Sequence, residues 1–215
     1  DDDADNTLSN TKTMTNVLPG SYTVTETALT GWDLTSLVCV DPTTNSSVNL
    51  GTGVATINLA AGETVTCTYT NTKRGTVIIE KQTNPDGASG SFPFTQNVDG
   101  TGAFNLSDNG TKTFSNVVPN TGTGYTVTEG ATAGFSLQSL SCTNPDGLNA
   151  SSVSGAVATI RVNPGETVTC TYTNLQLATL SLLKVENGGL PLTLAWQFQL
   201  RTGASPGVAG TIVAS

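Results

Sequence analysis

Two sets of residues in this chain have the types and spacing to do chemistry. The first is cysteine: Cys39 and Cys67 are separated by 28 residues, and so are Cys142 and Cys170. Equal spacing in two pairs reads as two disulfides, one within each pair. Closing a loop of that length stabilises a fold by about 3–4 kcal/mol on the chain-entropy model, and such bonds persist in an oxidising compartment outside the cytoplasm. A four-thiolate zinc site would want Cys-x-x-Cys knuckles, and none occurs; buried free thiols are the other alternative. The second set is Lys81, Glu129 and Asn174. Each ends a run in which every second residue is apolar or a cysteine: Val77, Ile79, Lys81; Tyr125, Val127, Glu129; Cys170, Tyr172, Asn174. In β-strands that alternation puts an amine, a carboxyl and an amide on inward faces, where buried polar groups must satisfy one another. Desolvation favours the neutral amine and the protonated acid. A neutral amine can attack the Asn carbonyl while the acid polarises it and relays protons, with ammonia leaving. The other arrangement open to the three groups is a buried Lys–Glu ion pair with the Asn hydrogen-bonded beside it.

Most other chemistry is excluded by composition. The chain has 215 residues, 8 Lys+Arg against 16 Asp+Glu, a formal net charge of -8 and no histidine. A charge of that sign offers no footprint for a phosphate backbone, so a nucleic-acid partner is not expected. Without histidine there is no Ser-His or Cys-His pair, and scattered Ser, Asp and Lys make no hydrolase constellation. No cofactor is implied, and the protein is not expected to be an enzyme beyond a single self-crosslinking event. No apolar run approaches the roughly 20 residues of a membrane helix.

The elements that must hold these residues are strands. Threonine is the commonest residue, with 39 copies, and Thr and Val favour pleated surfaces while Gly, Asn, Asp and Pro supply turns. Alternation of apolar and polar residues recurs in YTVTET, ATINLA, ETVTCTYTN, TVIIEK, KTFSNV and GYTVTE. The expected class is all-β.

The chain also repeats. GETVTCTYTN stands at 62–71 and again at 165–174, an offset of 103 that also relates the cysteine pairs and the two YTVTE segments, 22–26 and 125–129. NTKTMTNVLP at 10–19 matches GTKTFSNVVP at 110–119, which places three extra residues in a loop at Asn120–Gly124 and puts Lys12 and Lys112 in an exposed strand copied between the repeats. GTVIIEK at 75–81 recurs as ATLSLLK at 178–184. A period near 100 residues is that of a β-sandwich domain. Residues 1–72 then form a domain lacking its first strands, 73–174 a complete domain, and 175–215 the opening strands of a further one. Either the sequence is part of a longer tandem array, or the tail of one copy completes the head of the next by strand donation; a head-to-tail contact of that kind builds an open filament.

The order of these segments, with TVIIEK81 first, YTVTE129 followed by AGF135, and CTYTN174 last, resembles the prealbumin-like, CnaB-type (SpaA-like) repeat domains of bacterial surface proteins and pilins. The resemblance covers essentially the whole chain and implies tandem Ig-like or prealbumin-like β-sandwiches. It also implies a spontaneous isopeptide bond between a Lys of the first strand and an Asn of the last, assisted by a buried Glu: Lys81, Asn174 and Glu129 in the middle domain. Glu26 and Asn71 occupy the same places in the first unit, and Lys184 the place of Lys81 in the third. The cysteine pairs and the lack of Pro in ETALTGW32 and EGATAGF135 depart from the pilin pattern. The expected function is the structural subunit of an extracellular, cell-surface or secreted fibre, a head-to-tail homopolymer. With strand donation, Lys184 of one copy meets Glu26 and Asn71 of the next. The alternative is an adhesin module binding a surface ligand through loops 41–53 and 144–156, which differ most between repeats.

Weaker signals remain. Asp1, Asp2, Asp3, Asp5 and Asn6 resemble half a calcium loop, but no Gly or bidentate Glu follows, so a solvated acidic turn is expected and no metal. Trp32 and Trp196 read as core or interface anchors, and sequons at Asn45, Asn105, Asn109 and Asn149 arise readily in so Asn- and Thr-rich a chain.

Overall fold

The computed structural model describes residues 10–182, together with 200–202 and 211–214. The acidic run at Asp1–Asp5, Lys184 and Trp196 lie outside the described residues. All regular structure among the described residues is β-strand, and no helix among them is long and apolar enough to cross a membrane.

Residues 75–176 form two facing sheets. One has four strands in the order β11(Phe135–Thr143), β14(Thr167–Gln176), β6(Gly75–Asn84), β9(Thr111–Val117). The other has five, in the order β12(Ser152–Ser154), β13(Val157–Val162), β10(Asn120–Glu129), β7(Phe92–Gln96), β8(Phe104–Leu106). The strand β6, GTVIIEKQTN, alternates buried and part-buried positions residue by residue, as its sequence alternation requires. The core between the sheets draws Val77 and Ile79 from β6, Val168, Cys170 and Tyr172 from β14, Phe92 and Phe94 from β7, and Ala158, Ile160 and Val162 from β13. Phe94 stacks on Phe104 at 5.0 Å and meets Tyr172 edge-on at 5.1 Å, the offset and edge geometries that aromatic rings favour.

The decisive pairing for the site is β14 with β6. It is parallel, in a register that sets Cys170 beside Ile79 and Tyr172 beside Lys81. Parallel neighbours need a long crossover, and here the crossover is nearly the whole repeat, so its first and last strands lie side by side. Gly75 opens β6 where no larger residue fits: a Cβ there would collide with Val162 and approach the Glu166 carbonyl to 2.7 Å.

Residues 10–73 repeat part of this plan. A sheet of β1(Gly20–Thr25), β4(Val54–Leu59) and β3(Ser47–Asn49) accompanies a pair, β2(Trp32–Val40) and β5(Thr66–Lys73). These are the counterparts of β10, β13, β12, β11 and β14. Residues 10–19 form no strand, which corrects the expectation of an exposed strand at Lys12. In the second repeat the matching β9 pairs only with β6, and the first repeat has no counterpart of β6 among the described residues, so 10–19 has no edge to join. Of its apolar residues only Leu37 and Ala55 are buried, and none belongs to the core cluster. The extra residues near Asn120–Gly124 are likewise not a loop. They lie within β10 as a register shift between Asn120 and Tyr125, with Gly124 at φ +75° against the Ile160 carbonyl, the geometry of a bulge.

The chain divides into two compact units, Asp1–Ala178 and Thr179–Ser215. In the second, β15(Leu200–Thr202) pairs antiparallel with β16(Thr211–Ala214).

Candidate functional site

The strand alternation brings Lys81, Glu129 and Asn174 together from β6, β10 and β14 into the interior of the second repeat. Lys81 is 0%, Glu129 6% and Asn174 3% exposed. Lys81 Nζ lies 3.7 Å from Glu129 Oε1, donates to the carbonyl oxygens of Gln82 at 2.5 Å and Tyr172 at 3.2 Å, and sits 4.1 Å over the Phe92 ring. Two acceptors in the cluster, Glu129 Oε1 and Asn174 Oδ1, are buried without a hydrogen-bond partner, an arrangement that costs about 1–3 kcal/mol per orphaned group.

Burial dominates the protonation of the pair. It pushes the Lys81 amine below the ordinary lysine value, with the Glu129 charge opposing. It pushes the Glu129 carboxyl above the ordinary glutamate value, with the Lys81 charge and the hydrogen-bonding groups of Asn174 and Lys81 pulling back. Both shifts run towards the neutral forms, because a low-dielectric interior penalises charge of either sign.

The first repeat reproduces the carboxyl and amide without the amine. Asn71 Nδ2 donates to Glu26 Oε1 at 2.6 Å, while Glu26 Oε2 is buried and unpartnered. The framing contacts are also copied: Tyr172 donates its hydroxyl hydrogen to the Val127 carbonyl at 2.7 Å, and Tyr69 to the Val24 carbonyl at 3.0 Å. A cavity of about 210 Å³ opens beside Glu26 and Asn71, bounded by Leu29, Trp32 and Leu34.

Cys39 is bonded to Cys67 and Cys142 to Cys170, in each case directly across an antiparallel pair, β2–β5 and β11–β14. Each bond therefore ties the last strand of its repeat to a neighbour in the same sheet, and no free cysteine remains. The two divergent loops are knitted by their own polar groups. The Asp41 carboxylate accepts from the amides of Thr43, Thr44, Asn45 and Ser46, which holds its carboxyl below the usual range. In the other loop Asn163 Nδ2 donates to Asp146 and to the Leu148 carbonyl. Among the described residues no group of acidic or cysteine side chains is placed to hold a metal ion.

Two contributors escaped the sequence reading. Phe92, beneath the Lys81 amine, belongs to a short strand in SFPF whose Pro masks the alternation. Arg74, between β5 and β6, binds the Asp33 carboxylate through Nε at 2.8 Å and Nη2 at 2.6 Å. Its signal was available: at the 103-residue offset Asp33 and Arg74 become Ser136 and Leu177, so both charges change together. The backbone at the junction is kept, with Arg74 N donating to Gly31 O and Leu177 N to Gly134 O, both at 2.8 Å.

Among solved structures, a bacterial adhesin from Mobiluncus mulieris containing intramolecular disulfide, isopeptide and ester bond cross-links is similar at 15% identity and a TM-score of 0.38, over 57% of this chain and 48% of that one. The match thus spans about half the length of that adhesin. A major pilin from Streptococcus pyogenes is similar at 14% identity and a TM-score of 0.31, over 74% of this chain and 71% of that one, and a second major pilin of that species at 13% and 0.31, over 75% and 70%. No curated protein matches the chain. The SpaA_4 family, described as a prealbumin-like fold domain, matches residues 2–73 and again residues 77–176. The chain belongs to this family of prealbumin-like fold domains.

Proposed function

We propose that the protein is a structural subunit of an extracellular, cell-surface filament or stalk, in which each complete repeat is clamped by a disulfide and by an amide between Lys81 and Asn174. The observation that carries this reading is the buried cluster of Lys81, Glu129 and Asn174 on the first and last strands of one repeat. Its groups are matched in type for condensation. The neutral Lys81 amine attacks Asn174 Cγ, the Glu129 carboxyl passes a proton from Nζ to the departing Nδ2, and ammonia leaves. A proton on Glu129 turns one of the two orphaned acceptors into a donor, and the amide product removes the amine's charge.

The position of that amide suits a load-bearing element. The chain enters the repeat at the start of β6 and leaves at the end of β14, and these strands are parallel neighbours. Tension along the chain therefore shears one against the other. An amide from Lys81 to Asn174 carries the load from strand to strand, so residues 82–173 are not stretched. The disulfide between Cys142 and Cys170 holds the neighbouring strand to the same β14. Copies associate head to tail as a homopolymer, and the assembled product is durable and chemically inert.

Electron microscopy of the full chain, supported by antibody labelling of the source cells, tests this reading. Linear filaments decorated at the cell surface are expected. A monodisperse single chain at high concentration, with labelling confined to the cell interior, overturns it.

A further inference from the structure

The junction between the two repeats is the only place in the sequence where two basic residues are adjacent, Lys73 and Arg74. Linkers between domains are ordinarily exposed and lightly bonded, so domains move relative to one another unless a large apolar interface holds them. Here the main chain is bonded from both sides instead. Arg74 N donates to the Gly31 carbonyl of the first repeat at 2.8 Å. The Lys73 carbonyl accepts from Gly165 N of the second repeat at 3.0 Å, and Thr76 N donates to the Glu166 carbonyl at 2.8 Å. The turns that supply these groups pack closely. Gly31 lies at φ +85°, and a Cβ there would come within 3.1 Å of Asn116 Oδ1 across the junction. Gly165 lies at φ +73°, and a Cβ there would come within 3.1 Å of Lys73 Cδ. A turn from each repeat therefore closes on residues 73–76.

Main-chain bonding alone does not distinguish this junction. At the equivalent place after the second repeat Leu177 N donates to Gly134 O, also at 2.8 Å, but Ser136 and Leu177 stand where Asp33 and Arg74 would be. What the first junction adds is a two-pronged ion pair, Arg74 Nε to Asp33 Oδ2 at 2.8 Å and Nη2 to Oδ1 at 2.6 Å. Bidentate geometry of this kind fixes orientation as well as distance. The hydrogen bond from Arg74 holds the Asp33 carboxyl below its ordinary value. The same guanidinium acts on the second repeat: burial raises the pKa of the Tyr125 hydroxyl, and the Arg74 charge opposes that rise. One side chain is thus engaged by groups of both repeats.

We infer that the Asp33–Arg74 pair locks the two repeats into one rigid body and, by holding residues 73–76 in the strand path, closes the Lys73–Arg74 pair to trypsin-like proteases. The lock is an interface within one chain and does not depend on the Lys81–Asn174 amide. To be cut, the segment must leave its main-chain partners and enter the protease cleft, so the rate of cutting follows the population in which the junction is open.

The test uses the full-length chain, wild type and D33N. D33N keeps Arg74 as a cleavable residue and removes the carboxylate that holds it. Under limiting trypsin the native wild-type chain is expected to resist cutting at Lys73 and Arg74, and D33N to be cut there about fivefold faster. Backbone amide NMR relaxation is expected to give one rotational correlation time for both repeats of the wild type and two separate ones in D33N. The denaturant midpoint of the second repeat is expected to be the same in both chains, which separates an opened junction from an unfolded repeat. A wild-type chain cut at the junction as fast as D33N, or repeats that tumble independently in the wild type, overturns the inference. So does faster cutting of D33N that comes with a matching fall in the midpoint of the second repeat.

Discussion

A lysine and a glutamate that are almost fully buried, 3.7 Å apart and both displaced towards their neutral forms, are poorly suited to a stabilising ion pair, because desolvation of two charges is recovered only with excellent geometry. Before any condensation the pair therefore imposes a pH dependence whose sign can be worked out. Glu129 titrates above its ordinary 4.5 in the fold, so the native state holds more protons than the unfolded chain, and stability falls as pH rises from 4.5 through the folded value. Lys81 titrates below its ordinary 10.5, so the native state holds fewer protons, and stability rises as pH climbs from the lowered folded value to 10.5. In N174A, where no amide can form, denaturant unfolding of the second repeat is expected to show a stability minimum between these two flanks. In a wild-type chain carrying the proposed Lys81–Asn174 amide the titrating amine is gone, and the alkaline rise is expected to vanish. A wild-type profile identical to that of N174A contradicts a bonded Lys81.

Strands and staples act at the next scale. Removing the Cys142–Cys170 bond by C142S and C170S together is expected to cost the second repeat about 3 kcal/mol, for a crosslink closing a loop of this length, read as a lowered denaturant midpoint. Gly75→Ala is expected to cost about 1–3 kcal/mol through overpacking against Val162 and the Glu166 carbonyl; an unchanged midpoint would show that β6 can shift without penalty. Element identity was largely legible from the residues. Alternation in TVIIEK, GYTVTE and CTYTN marks inward and outward faces directly, and it placed Lys81, Glu129 and Asn174 on core-facing sides. Pairing was less legible. NTKTMTNVLP carries the pattern of β9, yet forms no strand because a strand needs an edge to pair with, and the described residues of the first repeat hold no counterpart of β6 to supply one. Likewise, residues 120–124 read as a loop from the three residues by which the repeat offset changes, whereas the strand absorbs them as a bulge. Phe92 could not be read as a partner of Lys81, since a contact across sheets leaves no local spacing.

At the scale of the whole molecule, the repeats are linked by one nearly continuous strand path. Strand β5 ends at Lys73, Arg74 is clamped by Asp33 and by Gly31, and β6 begins at Gly75. In the proposed filament, tension reaching β6 through Arg74 crosses to β14 at the amide between Lys81 and Asn174 and leaves through Leu177. Sparse charge and the absence of histidine leave the exterior with little chemistry, while Lys81, Glu129 and Asn174 lie inside the second repeat. Mass analysis of the reduced, digested wild-type chain tests the proposed Lys81–Asn174 amide most directly. One peptide that joins the Lys81 strand to the Asn174 strand, lighter than its two parts by one ammonia, is expected, and its loss in E129Q. Separate, unmodified Lys81 and Asn174 peptides from the folded wild-type chain would contradict it.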